Sequence, residues 1–213
     1  MPRVVMKFGG TSVANLDRIR NAAERVRLEV AKGYDVIVIV SAMSGKTNEL
    51  VGWVNETSAL YDAREYDAVV SSGENVTAGL MALTLQEMDI PARSWQGWQV
   101  PVQTTSAHAN ARIEAIPSAN LDEKFAQGMR VAVVAGFQGV SQRAGSPLLG
   151  AAGLTPRPWP LRLPLMQGAV KFITVSMGAL TPARAFRARH GSLDRTHLER
   201  ISRWPLWAQN FHK

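Results

Sequence analysis

The stretch Val4-Val5-Met6-Lys7-Phe8-Gly9-Gly10-Thr11-Ser12-Val13, close to the amino terminus, decides the fold. Its first part is apolar and rich in β-branched residues, which predicts a buried strand. The Gly-Gly-Thr-Ser part predicts a turn toward a helix, with backbone N–H groups left uncovered. Glycines let the backbone approach an anion, and Lys7 adds a positive charge at the end of the strand. The stretch is a candidate phosphate-binding turn, although a Gly-Gly turn taken alone is more often only a tight connection.

A helix and a second strand follow this turn. Asn15 is the predicted N-cap of a helix that Gly33 ends. Its apolar face recurs at intervals of three and four residues: Leu16, Ile19, Ala23, Val26 and Val30. Residues 36–40 form a continuous β-branched run, which predicts a strand covered on both faces. Strand, helix and strand together predict a parallel sheet with right-handed crossovers, and so an α/β fold.

The segment Ser41-Ala42-Met43-Ser44-Gly45-Lys46-Thr47 has some features of a Walker phosphate loop. The first glycine of that motif is missing, because Val40 holds its place inside the strand. The sequence therefore argues against a true Walker site. A ligand-binding loop is still expected here, since open α/β sheets bind ligands at the carboxyl ends of their strands.

Further along the chain, the patterns predict two helices and two strands. The helices run through residues 50–54 and 68–88, and the strands cover residues 92–95 and 130–135. Glu74 lies inside the second helix. A lone glutamate on a helix is usually solvated, but the small residues beside Glu74 would let a ligand or another segment come close.

The composition of the 213 residues predicts one sizeable domain, since 46% of them are apolar. The absence of cysteine excludes disulfides and thiolate metal sites, and the four histidines lack metal-ligand spacing, so we expect no protein metal site. The sequence shows neither a signal peptide nor an apolar run of about 20 residues, so we expect a cytoplasmic protein with no membrane span.

The basic charge is confined to the last third of the chain. Residues 1–140 hold 13 Lys and Arg against 15 Asp and Glu, whereas residues 141–213 hold 11 against 2, with 7 of the 11 prolines. The formal charge of +7 therefore does not make nucleic acid an expected partner of the first two thirds. In the last third, residues 170–175 are compatible with one strand and residues 193–204 with one short helix. No pattern there suggests a core, so we expect the sheet to end after residues 131–135, with an exposed edge.

Six motifs follow one another in the first two thirds of the chain. They are Lys7-Phe8-Gly9-Gly10-Thr11-Ser12, the segment from Ser41 to Thr47, Ser71-Ser72-Gly73-Glu74, Trp95-Gln96-Gly97, the loop 104–113 and Gly136-Phe137-Gln138-Gly139. In order and spacing they resemble the amino-terminal part of an aspartate kinase, and the resemblance covers residues 2 to about 142. It implies an amino-acid-kinase fold of the carbamate kinase-like type, a three-layer α/β/α sandwich with a mainly parallel sheet.

The resemblance also implies a reaction, in which the γ-phosphate of ATP, bound with Mg²⁺, is transferred to the side-chain carboxylate of L-aspartate. The product opens the route to lysine, threonine and methionine, and members of the family form homo- or hetero-oligomers. Lys7 would offset charge on the transferring phosphoryl group. The phosphate oxygens would be held by the segment Lys7, Phe8, Gly9, Gly10, Thr11 and Ser12. The aspartate pocket would be lined by Ser41, Thr47, Glu74 and Phe137.

Residues 143–213 depart from the family pattern. The family's Gly-Gly-Ser-Asp and Thr-Asp-Val-Asp-Gly strings, its second lysine and its regulatory ACT modules do not occur in this sequence. We therefore divide the chain into residues 1–142, the amino-terminal part of an incomplete kinase domain, and residues 143–213, a poorly ordered, basic tail. The loss of acids with a rise in Arg and Pro suggests a frameshifted or otherwise truncated aspartate kinase, lacking catalytic activity.

Two other functions fit parts of the sequence. The chain could be a non-catalytic α/β fragment whose basic, Trp-bearing tail binds nucleic acid or another protein, although basic proline-rich tails are usually only solvated. It could also be another amino-acid kinase, acting on glutamate or carbamate. The string from Ser41 to Thr47 favours aspartate.

The frameshift hypothesis predicts what the encoding DNA contains. Translation of the other reading frames just past the codon of Gln142 should recover the Gly-Gly-Ser-Asp and Thr-Asp-Val-Asp-Gly strings. Sequencing of the DNA checks this directly, and the absence of both strings from every frame would remove the frameshift explanation.

Overall fold

The computed structural model describes residues 1–104, 113–141, 150–151, 170–176 and 179–182. Its strands are β1 (Arg3–Phe8), β2 (Asp35–Val40), β3 (Ala92–Trp95), β4 (Gln103–Thr104), β5 (Ile113–Ala115), β6 (Val131–Ala135), β7 (Gln138–Ser141), β8 (Gly150–Ala151), β9 (Val170–Ser176) and β10 (Ala179–Pro182). Its helices are α1 (Leu16–Ala31), α2 (Lys46–Thr57), α3 (Ala63–Glu87) and α4 (Ala119–Ala126), with a short 3-10 helix over Gly10–Val13. No helix among these residues is long and apolar enough to cross a membrane.

The larger sheet has the strand order β10-β9-β1-β2-β6-β3, and its strands run parallel except for β10. The predicted unit of β1, α1 and β2 is present, with Val4 opposite Val36 and Phe8 opposite Val40. All six residues of β2 are buried, as its β-branched run predicts. Because β1, β2 and β6 are successive parallel strands, the segments that follow them emerge at the same edge of the sheet.

Helices cover both faces of this sheet, which confirms the three-layer α/β/α architecture. On one face, Val4, Met6 and Phe8 pack in a cluster with apolar residues of α1 and α3. On the opposite face, Val5 belongs to a second cluster that includes residues of α4. Period-two alternation along β1 explains why neighbouring side chains join different clusters.

Helix α4 covers the amino-terminal half of β1 on that second face. Asp122 forms an ion pair with Arg3, and the Arg3 guanidinium lies 5.1 Å from the centre of the Phe125 ring. Lys7 follows Arg3 and Val5 on the same face of the strand, and its side chain is exposed. In the part of the chain that the structure describes, the carboxyl end of β1 is therefore accessible on this side of the sheet.

The ends of α1 follow the predicted signals. The Asn15 side chain accepts a hydrogen bond from the backbone N–H of Arg18 at 2.9 Å. Gly33 follows the helix with a φ of +89°, a left-handed conformation that glycine adopts without strain. The chain then enters β2, where Arg130 forms an ion pair with the buried Asp35 at 3.1 Å.

A smaller sheet, in the order β5-β4-β7-β8, lies next to α3. Two residues, Gly136 and Phe137, lie between the end of β6 and the start of its strand β7 and form the turn between them. This connection brings the Gly-Phe-Gln-Gly motif from the main sheet to the smaller one.

The expectation that the sheet ends after residues 131–135 is wrong. Strand β6 lies inside the sheet, between β2 and β3, and the strand suggested at residues 170–175 is present as β9, paired in parallel with β1. Backbone hydrogen bonds between strands depend little on side-chain pattern, which is why composition alone missed this pairing. The helix suggested at residues 193–204 and most of the loop 104–113 lie outside the described residues. The boundary between residues 142 and 143 stays a prediction.

Candidate functional site

Three segments that follow parallel strands come together at the carboxyl edge of the main sheet. The backbone N–H of Ser41 donates to the carbonyl of Phe8 at 3.2 Å, and that of Gly136 donates to the carbonyl of Val40 at 2.9 Å. A Cβ at residue 136 would lie 2.8 Å from that Val40 oxygen, closer than real Cβ atoms approach backbone. Three motifs that lie far apart in the sequence therefore form one compact region.

Gly9 and Gly10 have different roles in the turn after β1. A Cβ at residue 10 would lie 2.9 Å from the carbonyl oxygen of Ala42, so close packing requires glycine there. No atom of the described residues lies within 4 Å of a Cβ built at residue 9, so on their side the space beside Gly9 is open. The carbonyl of Gly9 accepts from the backbone N–H of Ser12 at 2.8 Å. That N–H is thus engaged within the turn, so Ser12 is not one of the uncovered donors that the sequence predicts there.

Lys7 extends from the end of β1 into solvent. It forms no hydrogen bond or ion pair with the described part of the chain. An unpaired ammonium group beside the open space at Gly9 can attract an anion, because no carboxylate of the described residues competes for it.

Glu74 reaches the same region from α3. Only 5% of the residue is exposed, so the expectation of a solvated helix glutamate is wrong. Its Oε1 accepts a hydrogen bond from the backbone N–H of Ala42 at 3.2 Å, whereas Oε2 has no hydrogen-bond partner among the described residues. A Cβ at Gly73 would lie 2.9 Å from that of Ala42, so glycine lets α3 approach this closely.

Burial raises the pKa of Glu74 to about 6, and the hydrogen bond from Ala42 opposes the shift. A buried carboxylate with one free oxygen is a strong acceptor for a cationic group that can replace its lost hydration. Groups with perturbed pKa values are enriched at functional sites, so Glu74 is the best-supported residue of this region.

The other predicted residues occupy different environments. Ser41, Thr47 and Phe137 are partly buried, and Thr11 is exposed. Phe8 is fully buried, so its side chain is packed in the core and only its backbone can contribute to a ligand site. Phe137 has a φ of +65°, a strained conformation for a residue other than glycine. Such strain is concentrated at functional sites.

Lys46 does not join the region around Gly9. It forms an ion pair with Glu49 at 2.6 Å along the exposed side of α2. Gly45, with a φ of +82°, begins that helix. The lysine of the Walker-like segment is therefore engaged on the helix surface rather than directed at a phosphate.

Sequence reasoning missed Gln138 as a member of the region. Its side chain accepts a hydrogen bond from the N–H of Gly97 at 3.0 Å and donates to the carbonyl of Ser71 at 3.2 Å and to Asn75 Oδ1. Only its place inside a glycine-flanked motif could have marked it, because its partners lie 41 to 67 residues away along the chain.

The described residues contain no group of three or more His, Asp or Glu side chains that could hold a metal ion. These described residues therefore offer no complete set of protein ligands for a metal ion. Among the described residues, the open space at Gly9 and the exposed ammonium group of Lys7 form a place where an anionic group can approach the backbone.

The amino acid kinase family model matches residues 2–152. Among curated relatives, the aspartokinase of Rickettsia felis is 47% identical over 156 residues, which cover 72% of this chain and 39% of the relative. Aspartokinase 2 of Bacillus subtilis is 40% identical over 153 residues, which cover 72% of this chain and 37% of the relative. The chain thus spans about two fifths of the length of the curated relatives it matches.

Two solved structures show the same fold. An aspartate kinase from Synechocystis superposes with a TM-score of 0.54 at 39% identity, over 64% of this chain and 22% of that one. E. coli aspartokinase III in complex with aspartate and ADP superposes with a TM-score of 0.56 at 22% identity, over 70% of this chain and 44% of that one.

The buried carboxylate predicts how stability depends on pH. The pKa of Glu74 is raised from 4.5 to about 6, so the folded protein binds this proton more tightly than the unfolded chain does. The resulting stabilisation is fully present below pH 4.5 and is lost as the pH rises through about 6. Glu74→Gln should abolish this loss. Between pH 4 and pH 8, the free energy of unfolding of the variant should therefore increase by about 2 kcal/mol relative to that of wild type.

Urea unfolding at both pH values measures this difference. Glu56→Gln is the matched control, because Glu56 is exposed on α2 and should leave the pH dependence as in wild type. The same pH dependence in wild type and Glu74→Gln would show that Glu74 is hydrated in solution.

Proposed function

The chain belongs to the amino acid kinase family, and from this premise we propose that it carries the aspartate-binding and phosphate-binding part of an aspartate kinase site. The reaction would transfer the γ-phosphate of ATP to the side-chain carboxylate of L-aspartate and give 4-phospho-L-aspartate. The observation that carries the proposal is the convergence of Gly10, Ala42 and Glu74, from three of the six motifs, at one edge of the sheet. The aspartate and ADP bound by E. coli aspartokinase III agree with this pair of substrates.

The aspartate pocket is proposed around Glu74. The substrate ammonium would donate hydrogen bonds to the carboxylate, whose Oε2 has no partner among the described residues. Ionisation of Glu74 is costly while the site is empty, and a bound ammonium would remove that cost. Ser41 and Thr47 would contribute hydroxyl groups to the same substrate, and Phe137 would close the pocket with an apolar surface.

The phosphate subsite is proposed at the end of β1. Lys7 would offset the charge that develops on the transferring phosphoryl group, and the open backbone at Gly9 would let a phosphate oxygen approach. Phosphoryl transfer needs little covalent chemistry from the protein, because positioning and charge stabilisation supply most of the rate. Lys7 and the turn of Gly9–Ser12 are suited to that role.

The nucleotide half of the site is proposed to be missing from this chain, because the family's Gly-Gly-Ser-Asp and Thr-Asp-Val-Asp-Gly strings do not occur in residues 143–213. Without these groups, ATP and its Mg²⁺ would not be held in line with the aspartate carboxylate. We therefore propose that the chain as written binds aspartate but does not phosphorylate it. A complete member would act in the cytoplasmic synthesis of lysine, threonine and methionine.

Aspartate is favoured over glutamate or carbamate as the substrate. The curated relatives from Rickettsia felis and Bacillus subtilis are both aspartokinases. A carbamate has no ammonium group, so it would leave the buried Glu74 carboxylate unpaired.

The binding proposal predicts discrimination between L-aspartate and succinate, which lacks the ammonium group. Isothermal titration calorimetry on the full chain should show tighter binding of aspartate, by roughly 10- to 100-fold, since a charge-assisted hydrogen bond is worth about 1.5 to 3 kcal/mol. Glu74→Gln should remove most of this preference, whereas Glu56→Gln should retain it. Equal affinities for the two ligands in the wild-type chain would contradict the proposed pocket.

The phosphate proposal predicts a rate effect in a version of the protein whose carboxyl half has been restored. There, Lys7→Ala should lower kcat by on the order of a hundredfold or more, with little change in the KM for aspartate, because one preorganised charge contact contributes about 3 to 4 kcal/mol. Lys46→Ala is the matched control, since Lys46 is paired with Glu49 on α2. A normal kcat in the Lys7 variant would show that the phosphate role is misassigned.

A further inference from the structure

The Gln138 side chain links three parts of the fold. It is 3% exposed, and its amide group makes the hydrogen bonds to Gly97, Ser71 and Asn75 described above. A Cβ at residue 97 would lie 2.5 Å from the Gln138 Cβ, so only glycine lets the loop after β3 come this close. A buried amide with both donor and acceptor engaged fixes the elements that it joins.

The two contacts of Gln138 with α3 lie on either side of Glu74. Ser71 lies one turn before Glu74 and Asn75 directly follows it. Together with the close packing of Gly73 on Ala42, these contacts fix the turn of the helix that presents the Glu74 carboxylate. A small rotation of α3 would break the hydrogen bond between Glu74 and Ala42.

Gln138 also holds the residue that precedes it. Phe137 has a φ of +65°, a left-handed conformation that is strained for a residue with a Cβ. Gly136 is fixed against Val40 on one side of Phe137, and Gln138 is fixed against Gly97 and α3 on the other. The strained conformation persists because both neighbours are held.

We propose that Gln138 is a positioning residue that fixes Glu74 and Phe137 relative to each other. The inference rests on the proposed function in one respect, since that function assigns both residues to the aspartate pocket. In this role Gln138 acts through its contacts with α3 and through the turn between β6 and β7.

The substitution Gln138→Glu tests this positioning role with almost no change in the shape of the side chain. The new carboxylate still accepts from the N–H of Gly97 but offers no donor to Ser71 and faces the acceptor Oδ1 of Asn75. The readout is the hydrogen exchange of the Ala42 amide, whose acceptor is Glu74 Oε1, measured by NMR on the full chain. We expect this amide to exchange about tenfold faster or more, with the amide of Val38 in β2 unchanged.

Two further variants show whether the effect on Ala42 exchange is specific to the contacts of Gln138. Gln86→Glu is the matched control, because Gln86 joins α3 to the carbonyl of Ala92 away from Glu74 and should leave Ala42 exchange as in wild type. Asn75→Ala removes one of the two contacts between Gln138 and α3, and it should accelerate the hydrogen exchange of the Ala42 amide by a smaller factor. This variant keeps the test valid if Gln138→Glu does not fold. Unchanged Ala42 exchange in the folded variants, or equal acceleration of Ala42 and Val38, would overturn the proposal.

Ligand selectivity provides a second readout. In Gln138→Glu, the ratio of the affinity for aspartate to the affinity for succinate should fall about tenfold. A general loosening of the pocket would weaken the binding of both ligands equally, and that result would count against a positioning role for Gln138. A wild-type chain without any preference for aspartate would count against the proposed function instead. The exchange of Ala42 would then still decide the role of Gln138.

Discussion

Close contact between backbones at the end of β2 is the constraint on which the rest of the candidate site depends. The carbonyl oxygens of Val40 and Ala42 and the Ala42 side chain leave no room for a Cβ at residues 136, 10 and 73. These three glycines come from the ends of β6 and β1 and from the middle of α3. A side chain at any one of them would separate two elements whose approach places Glu74 beside Ala42.

This packing explains why a charged residue is tolerated inside the protein. Glu74 loses most of its hydration and recovers one hydrogen bond, so its ionised form is disfavoured in the empty site. The lost hydration of the Glu74 carboxylate lowers the stability of the folded protein, whereas binding of a cationic group would give the carboxylate a new partner. A site of this kind sacrifices some stability for affinity, which is a recurring property of functional regions.

Local signals predicted much of the fold, and long-range contacts account for what they missed. The cap at Asn15, the β-branched run of β2 and the glycine at residue 33 each act within a few residues, so their patterns are visible in the sequence. The pairing of β9 with β1 joins residues about 170 apart through backbone groups that carry no sequence signal. The contacts of Gln138 and the burial of Glu74 likewise depend on how α3 packs, which helical periodicity alone does not specify.

The two charged residues of the candidate site reach the edge of the sheet from opposite faces. Lys7 lies on the face of Val5, which α4 covers, whereas Glu74 comes from α3, which packs on the face of Val4 and Phe8. Glu74 accepts its hydrogen bond from the Ala42 N–H, and no ion pair between Lys7 and Glu74 is present among the described residues. The separation of charge therefore follows from period-two alternation in β1 and from the side of the sheet on which α3 packs.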